Sequence, residues 1–422
     1  MADKVIEECQ SAFIKGRNIL EGVVIVHETI HKLRRSKKQG LLLKIDFEKT
    51  YDKVRWSFLK EAMTAKGYPE RWIKWVMQTV QGGQVCVNVN GQRSSYFKTY
   101  QGLRQGDPLS PTLFNTVAEV LGVMMNKARH KGIVSGLMDH LIPGGVTHVQ
   151  YADDTMIMTD CSESSVLNLK IILYCFEWLS GLKINFHKSE LFVFGPDQTT
   201  KEKYANMLNC KLGALPIKYL GIPIDDQCLG LAAFVPLVQK LHKRLDPWKG
   251  KNMSSGGRLV LSNTCLSRLP MYTMGFYLLR AGTHEKMDSI RSKFFWRGAQ
   301  DKFRYHMVKW ETACRPKDQG GLGIIDTHIM NQCLMVKWIW KILKNEEALW
   351  CRLLKAKYTK DGDFFSSKSK GSSQFWQGLH KVKHMFHWGP SIRCTVGKRP
   401  DFGLTLGCKT PPLKFNSPSY ST

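Results

Sequence analysis

The sequence predicts an α+β fold: a sheet with helices packed on it through about residue 224, then a mainly helical stretch. Three observations predict it. "LLLKIDF" (41–47) is an unbroken apolar run of strand length. "QVCVNVNGQRSSYFKTY" alternates around Asn90-Gly91, a strong hairpin signal. After Ser110-Pro111, residues Leu113, Phe114, Val117, Leu121, Met124 and Met125 recur on one helical face.

The other elements follow in order. Residues 19–33 read as a helix. The basic run "RRSKKQG" after it reads as a solvated loop, with a phosphate patch or a nuclear address as the functional alternatives. Helices are expected at about 56–66 and 69–80, with Gly67 as a stop and Pro69 near the next start. Ser110 is expected to cap the long helix. "HVQYADDTMIMTD" (148–160) reads as a hairpin carrying Asp153 and Asp154, and a helix over about 163–180 ends at Gly181. "LKINF" and "ELFVF" read as strands. From about Asp361 the chain turns rich in Ser, Lys, Gly and Pro, and weak order is expected after Arg393.

With 422 residues, two or three domains are expected, and 43% hydrophobic with 23% charged residues is ordinary for a folded protein. No apolar run reaches the 18 residues of a membrane span, and "MADKVIEECQ" lacks the features of a secretory signal. The twelve cysteines stand singly, which points to reduced thiols and to no structural zinc. Charge is more informative. Lys plus Arg total 62 against 35 acidic residues, a net +27 and a pI near 9.6. Residues 1–230 carry 29 basic and 23 acidic residues, and residues 231–422 carry 33 and 12. Aromatics interleave with that positive half, as in "FFWRGAQDKFRYHMVKW" and "QFWQGLHKVKHMFHW". Nucleic acid is the partner this predicts; a basic helical domain with an aromatic core is the other reading.

Two adjacent aspartates in a β run need a reason, because like charges repel and a strand interior disfavours them. A solvated turn would supply one. A second aspartate, Asp46, ends the apolar strand "LLLKID". If the strands are neighbours, Asp46, Asp153 and Asp154 form a site of about −3 charge, which divalent magnesium would stabilise while keeping positions for water and phosphates. Two such ions about 4 Å apart serve phosphoryl transfer.

In order, "DFEKTYDKVRW", "QGLRQGDPLSPTLFN", "YADDT", "GLKINFHKSELFVFG" and "KYLGIPI" resemble the palm motifs of reverse transcriptases, specifically those of plant LINE-type (non-long-terminal-repeat) retrotransposons. The resemblance runs from about "QSAFIKGRNILEG" to "QFWQGLHKVKHMFHWG". It implies a right-hand palm with a helical thumb. Residues 1–40 would be partial fingers, 41–224 palm, 225–330 a thumb-like region, 331–392 a basic Trp-rich helical extension and 393–422 a disordered tail.

It also implies residue roles. Asp46, Asp153 and Asp154 would hold two Mg²⁺, with Mn²⁺ as a substitute, and the Phe47 carbonyl would complete the coordination. Tyr51 would sit under the sugar and exclude a 2′-hydroxyl; a core tyrosine is the alternative. Gln105 and Gly106 would line the incoming nucleotide and template base. Lys188 would approach the triphosphate and protonate leaving pyrophosphate, or simply be solvated. Tyr219, Leu220 and Gly221 would grip the primer terminus. The implied partners are an RNA template, a DNA primer and deoxynucleoside triphosphates, with no membrane; the oligomeric state is left open. The implied compartment is the nucleus.

The chain departs from the resemblance in four places. The fingers upstream of "QSAF", the endonuclease, and the Cys/His segment or ribonuclease H domain after "HWG" are missing, so truncation at both ends is expected. The usual alanine before Tyr51 is Thr50. The function implied is RNA-directed DNA polymerase; the alternative is an impaired remnant that only binds nucleic acid.

Overall fold

The structure, a computed structural model, describes residues 6–246, 253–297, 306–359 and 362–386. It comprises two compact units, Met1–Leu229 with Glu346–Asp361, and Gly230–Asn345 with Gly362–Thr422. The segment Glu346–Asp361 thus belongs with the first unit, although the sequence placed it inside a 331–392 extension. The expected tail, 393–422, lies outside the described residues.

In the first unit, helix α1 (Ile19–Ser36) is capped by the Asn18 side chain. It extends three residues past its expected end, so Arg34 and Arg35 complete its last turn and complement the helix dipole rather than forming a loop. Strand β1 (Gly40–Ile45) follows, then helices α2 (Trp56–Ala65) and α3 (Glu70–Gln81). A small exposed lobe comes next. β2 (Gln84–Val85) pairs with β5 (Phe97–Lys98), and β3 (Asn88–Val89) with β4 (Gln92–Arg93) across the left-handed Asn90 and Gly91.

Helix α4 (Ser110–His130) precedes the hairpin β6 (His148–Tyr151) and β7 (Asp154–Thr159). Ser110 is not its cap: the Asp107 carboxylate accepts the Leu109 N–H at 2.8 Å, and Ser110 is buried within the first turn. Helix α5 (Glu163–Ser180) ends at Gly181 with φ +80. "LKINF" forms only an isolated bridge, Ile184 to Phe47, while "ELFVF" is strand β8 (Glu190–Phe194). Helix α6 (Gln198–Leu208), strand β9 (Lys211–Leu212) and the hairpin β10 (Ile217–Tyr219) and β11 (Ile222–Ile224) complete the run.

The main sheet has the order β6-β7-β1-β8-β9, antiparallel except for β8–β9. Strand side chains alternate between faces. Leu41, Leu43, Ile45, Ile157, Leu191 and Val193 turn to one face and meet Phe114 and Leu121 of α4 and Leu173 and Phe176 of α5 in the main core. Burying each such side chain contributes about 1.5–3 kcal/mol. Leu42 and Lys44 turn to the other face with their partners Met158 and Met156, and the ladder ends at Ile45–Thr155, one residue short of Asp46. Helix α1 is buried along Leu20–Ile30. There Glu28, fully buried, accepts from Lys357 Nζ at 2.6 Å and from Tyr358 OH at 2.6 Å. Burial alone would raise the Glu28 carboxyl, but Lys357 and His27 outweigh it and hold it far below the usual range.

In the second unit every described element is helical. Asn331 is its polar hub: its side chain accepts Leu279 N–H and donates to the carbonyls of Met274 and Tyr277 at 2.7–2.8 Å. Phe276 stacks on Phe375 at 5.1 Å, and Trp338 meets the same ring edge-on. Phe294, Phe295, Trp338, Phe375 and Trp376 are all buried. Among the described residues, Phe294, Phe295, Phe375 and Trp376 of the stretches read from composition as base-stacking faces are therefore core. No described helix is long and apolar enough to cross a membrane.

Candidate active site

The predicted carboxylates are brought together by strand register. Ile45 pairs with Thr155 as the last step of the ladder, which brings the next residues, Asp46 and Asp154, to the same sheet end within electrostatic reach of each other. Tyr151 pairs with Asp154, which leaves Ala152 and Asp153 as the two-residue turn. Three acidic residues more than 100 positions apart in part thus share one sheet end. Asp154 carries the electrostatic consequence. Burial raises its carboxyl first, Asp153 and then Asp46 raise it further, and Lys44 opposes them. Lys44 itself is shared with Glu190, 3.5 Å away.

The turn is held from two sides. Ala152 has φ +55, a strained conformation for a residue with a Cβ, costing about 1–2 kcal/mol. The buried Gln10 side chain accepts the Ala152 N–H at 3.0 Å and the Ala12 N–H at 3.0 Å. Residues around Gln10 run along β6: Ser11 N–H donates to Gln150 O, and Gln150 N–H to Cys9 O. On the other side, buried Thr50 donates from Oγ1 to Asp153 Oδ2 at 3.3 Å. Gln10 escaped the sequence reading, and its one signal was its place at the start of the "QSAF" resemblance.

Asp46 lies just past β1. Its N–H donates to Ser189 Oγ at 3.1 Å, and its carbonyl accepts Asn185 N–H at 2.8 Å. Glu48 N–H donates to Lys183 O. In an antiparallel bridge the residue between two bonded neighbours points its own groups the other way, so the Phe47 carbonyl faces away from 183–185. The Phe47 ring meets Phe176 edge-on at 6.3 Å.

Tyr51 stacks on Phe114 at 5.1 Å and accepts Leu103 N–H at 2.6 Å through its carbonyl. Burial raises its hydroxyl pKa first, and Asp153 adds to the rise. The half-buried ring lies within the electrostatic reach of the turn, so it is both core neighbour and site neighbour. Gln105 Nε2 reaches Asp52 Oδ1 at 3.4 Å. Gly106 has φ +90 with open space where a Cβ would stand, so it is required by backbone conformation rather than by crowding.

Lys188 is exposed and belongs to a cationic group around Glu48. Lys53 holds Glu48 below its usual range by a 2.7 Å hydrogen bond, and Lys183 and Lys188 add to it. Tyr219 is fully buried beside Gly22 of α1, so its ring is a core anchor. What the hairpin presents outward is the turn of Leu220 and Gly221, at φ 48 and 80.

Among the described residues no three His, Cys, Asp or Glu side chains are gathered closely enough to hold a metal ion. The donor set nonetheless suits a hard divalent cation: carboxylates and a carbonyl, all oxygen, with mutual repulsion that a cation would relieve.

A model of the family described as "Reverse transcriptase (RNA-dependent DNA polymerase)" matches residues 1–224. The chain is similar to a protein of Arabidopsis thaliana whose name assigns it to ribonuclease H, 29% identical over 40% of this chain and 28% of that protein. It is also similar to a transposon TX1 149 kDa protein of Xenopus laevis, 23% identical over 84% of this chain and 26% of the other. The Pol polyprotein of the type-2 retrotransposable element R2DM of Drosophila melanogaster is 24% identical over 75% and 29%. The chain spans less than a third of each. A telomerase of Candida tropicalis, solved with a telomeric RNA fragment, covers 84% of this chain and 53% of its own at 12% identity and a TM-score of 0.39. The chain belongs to the reverse transcriptase (RNA-dependent DNA polymerase) family.

Proposed function

We propose that the chain is an RNA-directed DNA polymerase domain of a LINE-type retroelement of plants, acting in the nucleus. Residues 41–224 would serve as the palm and 225–330 as a thumb. The observation that carries the reading is the register whose last pair, Ile45–Thr155, leaves Asp46 and Asp154 at one sheet end with Asp153 in the adjoining turn.

Asp46 and Asp153, with the Phe47 carbonyl, would hold two Mg²⁺, or Mn²⁺ in their place. Asp154, whose proton affinity burial and its neighbours raise, would complete the acidic set. The bound ions would supply charge neutralisation for attack of a primer 3′-hydroxyl on the α-phosphate of a deoxynucleotide. Tyr51, stiffened by its stack on Phe114, would close the space below the sugar and exclude a 2′-hydroxyl. Gln105 and Gly106 would line the nucleotide and the template base. Lys188, exposed beside Lys183 and Lys53, would receive the triphosphate and give a proton to leaving pyrophosphate. The Leu220–Gly221 turn would meet the primer, with Tyr219 anchoring it from the core.

Magnesium-dependent primer extension on an RNA template tests this. Extension by the wild-type chain that Asp153→Asn abolishes supports it; equal background from both sinks it.

A further inference from the structure

The exposed aromatic rings of the first unit do not lie where the net charge pointed. Between Arg55 and Arg104 the sequence has eight basic residues and only two acidic ones, Glu61 and Glu70. That stretch spans α2, α3 and the hairpin in which the β3–β4 pair is nested inside the β2–β5 pair. Helix α3 buries Ile73, Val76 and Met77 on its inner side. Its outer side carries Trp72 and Trp75, which remain 41% and 48% exposed. Large indoles left in water at a surface mark an interaction site more often than chance placement.

These rings are arranged. Trp72 and Trp75 meet edge-on at 6.4 Å, and the Arg71 guanidinium lies over the Trp75 ring at 4.7 Å. Tyr96 and Phe97 are exposed on the adjoining hairpin, and Tyr100 is 88% exposed. The backbone just after Tyr100 is firmly held. Gly102 N–H donates to Val54 O at 2.8 Å, Trp56 Nε1 donates to Gly102 O at 2.8 Å, and Leu103 N–H donates to Tyr51 O. Gly102 must be glycine, since at φ +92 a Cβ would come within 2.7 Å of the Asp52 carbonyl. The Arg104 side chain ties this strand back to α3 through Thr79 O at 3.3 Å. The aromatic lobe is therefore fastened directly to the segment that carries Gln105.

We propose that α3 and the following hairpin form a platform for single-stranded RNA. The bases would stack on Trp72, Trp75 and Tyr100, and Arg71, Lys74 and Lys98 would neutralise phosphates on the way toward Gln105. The pairing of exposed rings with cations, and the near absence of carboxylates, favours a polyanion with unstacked bases over an apolar protein face. The inference rests on the polymerase reading only in taking RNA as the strand; it requires no catalysis.

The test is fluorescence anisotropy of the full chain with a fluorescein-labelled 12-mer oligouridylate, without magnesium or nucleotide. Trp72→Ala with Trp75→Ala should weaken binding roughly tenfold or more. Arg71→Gln with Lys74→Gln should flatten the dependence of log K on log salt by about 1.4. Asp153→Asn should bind as the wild type does, even though it loses extension, so loss of catalysis and loss of the platform are separable. Binding by the double tryptophan variant within twofold of wild type, at an unchanged melting temperature, overturns the proposal. So does a change confined to self-association in sedimentation, which would make the face a protein contact. If the double variant fails to fold, cross-linking of a 4-thiouridine oligonucleotide to the wild-type chain decides: adducts within residues 71–100 support the platform, and adducts only elsewhere overturn it.

Discussion

Thr50 Oγ1 donates to Asp153 Oδ2 across 3.3 Å, joining residues 103 positions apart at the tip of the β6–β7 turn. Thr50 is buried and Asp153 exposed, so the hydroxyl fixes a carboxylate that would otherwise sample several rotamers. Because the carboxylate is exposed and the bond is long, it adds little to folding stability and acts on orientation. Thr50→Val replaces the hydroxyl by a methyl of like size. It is expected to lower primer extension about tenfold with little change in melting temperature, while Thr50→Ser stays within about threefold. Equal rates for Val and wild type would remove Thr50 from the site.

Gln10 closes the same turn from below through Ala152 N–H. Gln10→Ala leaves a buried backbone donor unpaired in a strained turn, at a cost of about 1–3 kcal/mol. Hydrogen exchange at the Ala152 amide should quicken markedly in this variant, and urea unfolding should shift to lower concentration. An unchanged exchange rate would show that the turn holds itself.

The clasp of Glu28 with Lys357 binds α1 to the segment Glu346–Asp361. Breaking one side of a buried pair strands the other charge and costs about 3–5 kcal/mol. Lys357→Met should therefore destabilise strongly in urea unfolding. Glu28→Met combined with Lys357→Met should recover much of the loss, because no charge is then left buried. A double variant no better than the single one would assign the cost to packing instead.

His148 sits fully buried on β6, and burial pushes its pKa down to about 4, with Arg129 adding to the shift. His31 and His284 are also lowered to about 4, each by burial first. The unfolded chain takes up these protons near pH 6.5, and the folded chain only near 4, so stability declines as pH falls across that window. A shift of this size at His148 alone is worth roughly 3 kcal/mol. Glu28 acts in a separate window: its lowered carboxyl loses its contribution only below about 4.5. Urea midpoints at pH 7.5, 5.5 and 4.5 should fall in that order, and His148→Gln should shallow the fall. Midpoints that stay level would contradict the buried neutral imidazole.

Much of the site was legible because its signals are local. Strand length ended β1 just before Asp46, left-handed turn chemistry marked Asn90-Gly91 and Gly181, and helical period marked α4. The misplacements have physical causes. Arg34 and Arg35 continued α1 because a basic last turn complements the helix dipole, and Ser110 lost the cap position because the helix starts from Leu109, whose N–H Asp107 accepts. "LKINF" kept its bridge to Phe47 without extending into a strand. Charge counting pointed to the basic half, yet Trp338, Trp376 and Phe375 are buried there, while Trp72 and Trp75 stand exposed in the less basic half.

By itself the order of residues determined most of the helices and strands of the first unit and marked Asp46, Asp153 and Asp154 as candidate acids, since both depend on neighbours along the chain. Only the tertiary structure decided that Asp46 and Asp154 come to one sheet end, that Thr50 and Gln10 hold the turn, and that Lys357 closes on Glu28. Those contacts join residues separated by more than a hundred positions, and their free energy exists only after the sheet has closed and excluded water between them.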